Sequence, residues 1–270
     1  MDSLVRLLGS SLLLFALLLF AALVVAREVG FWLGLRRPDR GQGDAEGTGV
    51  LVGAMLGLLS FVLALTLAFA NARFDERRVG TLTEANAIGT AWLRAKVVGD
   101  ERMADLLQDY AGLRAAFIRA SNQHEAIDSI NARTAALQSE IWGNVAALAR
   151  EQPNAVTASL IGAVNATFDA SSAGRFAYEF RPAPQLFWLL IGITVVGMGV
   201  LGFQLGLNGR PLRLLSVMLA AMWTVVVTDI IDLGAARIGS IRADADVYDW
   251  TIASMRSGVP VPPPAGRESR

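Results

Sequence analysis

The 270-residue chain is 53% hydrophobic with a mean hydropathy of +0.45, more apolar than a soluble domain of this length needs. Its 24 Lys and Arg are matched by 24 Asp and Glu, and residues 73–184 carry 13 acids against 12 bases. That balance excludes a nucleic-acid partner, which needs a basic face to displace counterions. The absence of cysteine excludes disulfides, thiolate metal sites and cysteine nucleophiles.

A membrane span takes roughly 20 apolar residues, and four windows qualify: 8–26, 50–70, 186–207 and 212–231, with Arg213 at the edge of the last. They predict an all-α membrane protein with four transmembrane helices in two pairs and a helical domain inserted between the second and third. The first window exceeds the roughly 7 to 15 residues of a signal-peptide core and is read as retained, although Ala22 and Ala26 offer a small-residue cleavage pattern. Residues 27–49 follow as a polar, glycine-rich hairpin loop.

The second window runs without Pro or a turn cluster into a polar helix, so one helix is expected to join membrane and domain. Beyond it, Val79, Leu82, Asn86, Gly89 and Leu93 recur at helical spacing and predict a buried stripe. After a break at Gly99-Asp100, a second stripe takes in Met103, Leu106, Leu107, Tyr110, Leu113 and Phe117. A third includes Ile127, Thr134, Ile141 and Val145, and a fourth, past Pro153, Val156, Leu160, Val164 and Phe168. Four helices joined by short breaks make a bundle or a set of stalks.

Residues 181–184 lead back to the membrane, with Phe187 and Trp188 at interfacial depth. Asn208-Gly209-Arg210-Pro211 turns the chain between the last two spans, an amphipathic helix is expected over 243–255, and residues 259–264 form a Pro-rich tail. The expected divisions are 1–72, 73–184, 185–234 and 235–270. Arginines near span ends number eight against six in favour of cytoplasmic termini and a cytoplasmic middle domain. A single lysine, Lys96, and abundant alanine fit a GC-rich bacterial genome, and the expected location is a bacterial inner membrane.

Small residues mark helix contacts: Gly49, Gly53 and Gly57 in the second window, and Gly192, Gly199, Gly202 and Gly206 in the third. Asp229 and Asp232, three apart at the end of the fourth, share a helical face as interfacial carboxylates, partners of an arginine such as Arg237, or a ring of charge in a pore. Asn71, Glu84, Asn86 and Thr90 lie at the span-to-domain junction, where Glu84 is expected to pair with Arg77, Arg78 or Arg94 or to line an ion vestibule. His124 stands alone and reads as a surface residue; no catalytic, phosphate-binding or cofactor motif is present, so no cofactor, metal site or enzymatic activity is expected.

The run Arg73-Phe74-Asp75-Glu76-Arg77-Arg78, followed by Glu84-Ala85-Asn86-Ala87-Ile88-Gly89-Thr90-Ala91-Trp92-Leu93-Arg94-Ala95, resembles the bacterial bestrophin-like membrane protein family. The resemblance extends through 165–169 and 184–206 to the acidic end of the fourth span, covering 49–241. There the family's Asp-Leu-Asp with a following Pro and Gly is only partly kept: Asp232-Leu233 and Gly239 match, whereas Gly234 and Ala236 depart. The kinship implies a pentamer with four spans and a helical cytosolic domain, an architecture shared with bestrophin anion channels. The bulky apolar neck and acidic calcium clasp of bestrophins are not visible, so anion selectivity and calcium gating are not implied. The expectation is an oligomeric, channel-like protein passing inorganic ions through a lipid bilayer. The alternative is a non-conducting sensor or scaffold whose bundle binds a ligand or partner.

Overall fold

The computed structural model describes residues 12–37, 42–120, 124–179, 184–237 and 241–258, all helices and connections without a strand. Among them are eight helices: α1 (Leu12–Leu35), α2 (Gln42–Val98), α3 (Glu101–Arg119), α4 (His124–Glu151), α5 (Ala155–Glu179), α6 (Pro184–Leu207), α7 (Arg213–Gly234) and α8 (Asp246–Ser257). Four of them, α1, α2, α6 and α7, are long and apolar enough to cross a bilayer, which marks a multi-pass membrane protein. The re-entry at 181–183, the imidazole of His124, Gly239 and the Pro-rich tail lie outside the described residues.

Contacts divide the chain into two units, Met1–Phe74 with Arg181–Arg242, and Asp75–Phe180 with Ala243–Arg270, and the first boundary falls inside α2.

In the first unit, α1, α6, α7 and the start of α2 share a core that includes Leu23, Leu59, Met198, Trp223 and Val227. Lipid tails are as apolar as these side chains, so burial alone does not hold membrane helices together; close van der Waals approach does. The α1–α6 seam achieves it with glycine on both sides. A Cβ on Gly34 would sit 3.0 Å from the Leu207 amide nitrogen and 3.1 Å from the Gly206 Cα. Gly30 faces the Gly199 carbonyl, Gly202 faces that of Arg27, and Gly206 faces that of Phe31, each too close for any side chain.

Five hydroxyls in these spans are satisfied within their own helix, whereas that of Thr228 is buried without a hydrogen-bond partner. Ser60, Thr66, Thr194, Ser216 and Thr224 each donate to the carbonyl four residues back, at 2.6 to 3.0 Å.

The expected loop over 27–49 is corrected. Helix α1 continues to Leu35 and α2 begins at Gln42, leaving a short connection. Arg27 and Glu28 do not end the helix because they neutralise each other at 2.5 Å, while Gly30, Phe31 and Gly34 carry the buried stripe onward.

In the second unit, α3 starts after Gly99, whose φ of 83° favours glycine. Asp100 caps it, its Oδ1 accepting from the Met103 amide at 2.9 Å, and its Oδ2 accepts from Asn144 Nδ2 on α4 at 3.0 Å. Asn154 caps α5 by accepting from the amides of Val156 and Thr157. The stripes expected on α3 and α4 are largely buried; on α5, Leu160 and Val164 are buried and Val156 is exposed. Helix α8 packs against α3 and completes this unit.

The stripe expected on α2 is on the wrong face. Val79 is 61% exposed, Leu82 46% and Leu93 47%; Asn86 is exposed and Gly89 half-buried. The buried face carries Arg77, Thr81, Glu84, Ala85, Ile88, Ala91, Trp92 and Ala95, also at helical spacing. Two such faces coexist on one helix, and the Ala-rich one is chosen because small residues let neighbouring helices approach closely.

Candidate functional site

Glu84 occupies the centre of a buried polar cluster in the second unit. The face of α2 that packs inward brings its carboxylate to Arg114 of α3, and both side chains are 1% exposed. Arg114 donates from Nε to Oε1 and from Nη2 to Oε2 at 3.2 Å, so the grip is bidentate. Tyr248 of α8 adds a third donor, its hydroxyl lying 2.7 Å from Oε2. Gly174 of α5 closes one side, since a Cβ there would stand 3.2 Å from Oε2. The Arg114 guanidinium also lies 4.5 Å from the centroid of the Phe117 ring.

The surroundings fix the protonation of the donors. Burial pushes the Tyr248 hydroxyl well above its ordinary range, and the negative charge of Glu84 adds to the effect. Tyr110, whose hydroxyl accepts from Gln138 Nε2 at 2.8 Å, is raised by burial in the same way. Burial alone would lower Arg114, but the Glu84 charge and hydrogen bonds outweigh it and the guanidinium is held above its ordinary value. A buried carboxylate whose two oxygens take three donors from two other helices binds helices together. The partners expected for Glu84 are corrected: Arg94 donates instead to the Ser159 carbonyl at 2.6 Å.

The other expected site residues are not gathered into one place. Asn71, Asn86 and Thr90 are exposed on α2. Asp232 is 2% exposed, its Oδ2 accepting from the Ile241 amide at 3.3 Å, whereas Asp229 is exposed. The shared face expected for the two aspartates is corrected on geometry. Three residues turn a helix about 300°, and the remaining offset of about 60° separates core from surface here. Gly199, Gly202 and Gly206 form the α1–α6 seam, and a Cβ on Gly49 would meet Gln204 Nε2 at 2.8 Å. Gly53, Gly57 and Gly192 have nothing within 4 Å of where a Cβ would stand. Among the described residues, no group of three His, Asp or Glu is placed to hold a metal ion.

One polar constellation in the first unit was missed by the sequence reading. Arg27 is 2% exposed and gives Nη1 to Glu28 Oε1 at 2.5 Å, while Arg213 at the start of α7 brings its Nε within 3.5 Å of the same oxygen. The Nε and Nη2 atoms of Arg27 are buried and have no hydrogen-bond partner. Arg27, Glu28 and Arg213 line a cavity of about 70 Å³ with Val24, Met198, Ser216 and Val217. An adjacent Arg-Glu pair inside a continuing apolar run was the available signal, together with Gly30 and Gly34 at the spacing of a helix contact.

No family model, no curated protein and no solved structure matches the chain. The bestrophin-like resemblance therefore rests on the sequence runs alone.

Proposed function

We propose that this chain is a homo-oligomeric, channel-like protein of a bacterial inner membrane, bestrophin-like in architecture, with α2 bordering the symmetry axis and inorganic ions as its passengers. The observation that carries this reading is the surface α2 leaves uncovered in each unit. Within the membrane-spanning unit, Gly53 and Gly57 are exposed with no atom near them. Glycine offers lipid nothing that a larger apolar residue would not offer better, and it is enriched where another helix comes close. Within the helical unit, Val79, Leu82, Asn86 and Leu93 are exposed at spacings of three, four and seven, the seam of a coiled coil, with Asn86 as the kind of polar insertion that sets register. A second copy of the same helix satisfies both stripes. By the bestrophin-like resemblance the ring is a pentamer.

Mass measurement of the purified protein in detergent tests the assembly. A discrete multiple of 28.8 kDa is expected, and a monomer at micromolar concentration sinks the reading. Flux from reconstituted vesicles under potassium, sodium and chloride gradients tests conduction; an oligomer that passes none of these ions is a scaffold, and the channel part fails.

A further inference from the structure

We infer that the cavity beside Arg27 is a binding site for a phosphate-type oxyanion, independent of whether the protein conducts ions. The shape of the unpaired group identifies the ligand class. Of the three guanidinium nitrogens of Arg27, Nη1 is taken by Glu28, and the two left without partners, Nε and Nη2, share one edge of the planar group. Their two N–H bonds point the same way, in the fork that grips two oxygens of a phosphate or carboxylate. A chloride ion or a single carbonyl can bridge the two N–H groups only with bent bonds, whereas a two-oxygen acceptor gives each its own linear one.

The local charge points the same way. Glu28 shares one oxygen between Arg27 and Arg213, so the constellation carries two positive charges and one negative. A monoanion makes it neutral, and within a span an uncompensated charge is costly. Val24, Met198 and Val217 make the rest of the cavity wall apolar, which strengthens a charge contact there.

The backbone holds the fork in place. The Arg27 carbonyl packs against Gly202, so the residue sits on the close-packed α1–α6 seam, and its guanidinium lies over Phe31 at 5.0 Å from the ring centroid. Arg27 lies two turns before the end of α1 at Leu35, about 12 Å along the axis at 1.5 Å per residue. Between them Trp32 is 56% exposed, with Arg36 at 5.7 Å from its ring, an aromatic and basic pairing suited to the membrane interface. The fork thus lies just on the apolar side of the interface, within reach of a lipid phosphodiester and of a small phosphate entering from water. Both sources present the same chemistry.

The test uses full-length protein stripped of lipid in a zwitterion-free detergent, with its unfolding temperature followed during titration. One arm adds short-chain phosphatidylglycerol, the other inorganic phosphate. A saturable rise in the first arm alone assigns a lipid headgroup, and a rise in the second assigns free phosphate; either supports the site. Arg27→Lys keeps the charge but removes the fork, and is expected to weaken binding about tenfold or more. Because that variant disturbs a buried position, Arg213→Gln, whose side chain is 69% exposed, provides a second reading and is expected to weaken binding several-fold while folding normally. No saturable rise in either arm, or equal midpoints in wild type and both variants, overturns the inference.

Discussion

The Tyr248 hydroxyl donates to Glu84 Oε2 at 2.7 Å across a sequence separation of 164 residues, and both side chains are buried. The bond makes the last described helix part of the core that α2 and α3 begin. It also ties the stability of the helical unit to the neutral form of a phenol.

An alkaline limit follows from that dependence. The hydroxyls of Tyr248 and Tyr110 are both raised from an unfolded value of 10.0. The unfolded chain releases these protons from about pH 10 and the folded chain does not, so their contribution is complete below pH 10 and is lost as the pH rises above it. Each tyrosine removes about 1.4 kcal/mol per pH unit in that window. The unfolding temperature of the helical unit should be flat from pH 7 to 9 and fall above 10, with Tyr248→Phe showing about half the slope. Helical circular dichroism during pH titration measures it; an unchanged slope in the variant refutes the assignment to Tyr248.

The Glu84–Arg114 pair should obey the asymmetry of buried ions. Glu84→Gln leaves a buried guanidinium without its counter-charge and should cost about 3–5 kcal/mol. Glu84→Leu combined with Arg114→Leu removes both charges and should cost less than the sum of the single changes. Chemical denaturation of wild type, Glu84→Leu, Arg114→Leu and the double variant completes the cycle, and additive losses would show that the two side chains act independently.

At the α1–α6 seam, Gly202→Leu and Gly206→Leu should each destabilise by about 1–3 kcal/mol or more, because the added atoms meet backbone that has no rotamer to change. Gly53→Leu, at a position with open space in the single chain, should leave the fold of one subunit intact and act only on assembly. Thermal unfolding set beside the mass in detergent separates the two effects. A folding defect at Gly53 as large as that at Gly202 would contradict the difference.

The exposed stripe on α2 gives a covalent test. The chain has no cysteine of its own, so Leu82→Cys or Leu93→Cys introduces the only thiol. Oxidation in native membranes should produce a disulfide-linked dimer from these positions and not from Arg102→Cys, whose side chain is 73% exposed on another helix. Equal cross-linking at all three positions would indicate random collision.

The spans were legible because about 20 apolar residues in a row admit few other readings, and the stripes of α3 and α4 because each carries one apolar face. Helix α2 defeated the same reasoning. It has two faces at helical spacing, and a periodicity count does not say which faces its own chain. The end of α1 was missed because Arg27 and Glu28 were treated as a boundary, when adjacent opposite charges cancel and let the helix continue. Glu84 was legible as a residue needing a partner, but Arg114 and Tyr248 come from elements distant along the chain, and no local spacing signals their approach. Asp229 and Asp232 show the limit of the three-residue rule, which places side chains near each other without placing both on the buried side.

The position of α8 has a consequence for the order in which the molecule is made. Tyr248 leaves the ribosome only after α6 and α7 have been synthesised, so of the groups that grip Glu84 its hydroxyl is the last to be made. The helical unit is begun before the last two spans exist and finished after them. A chain that stalls anywhere before Tyr248 lacks the third donor to Glu84 and carries an incomplete core.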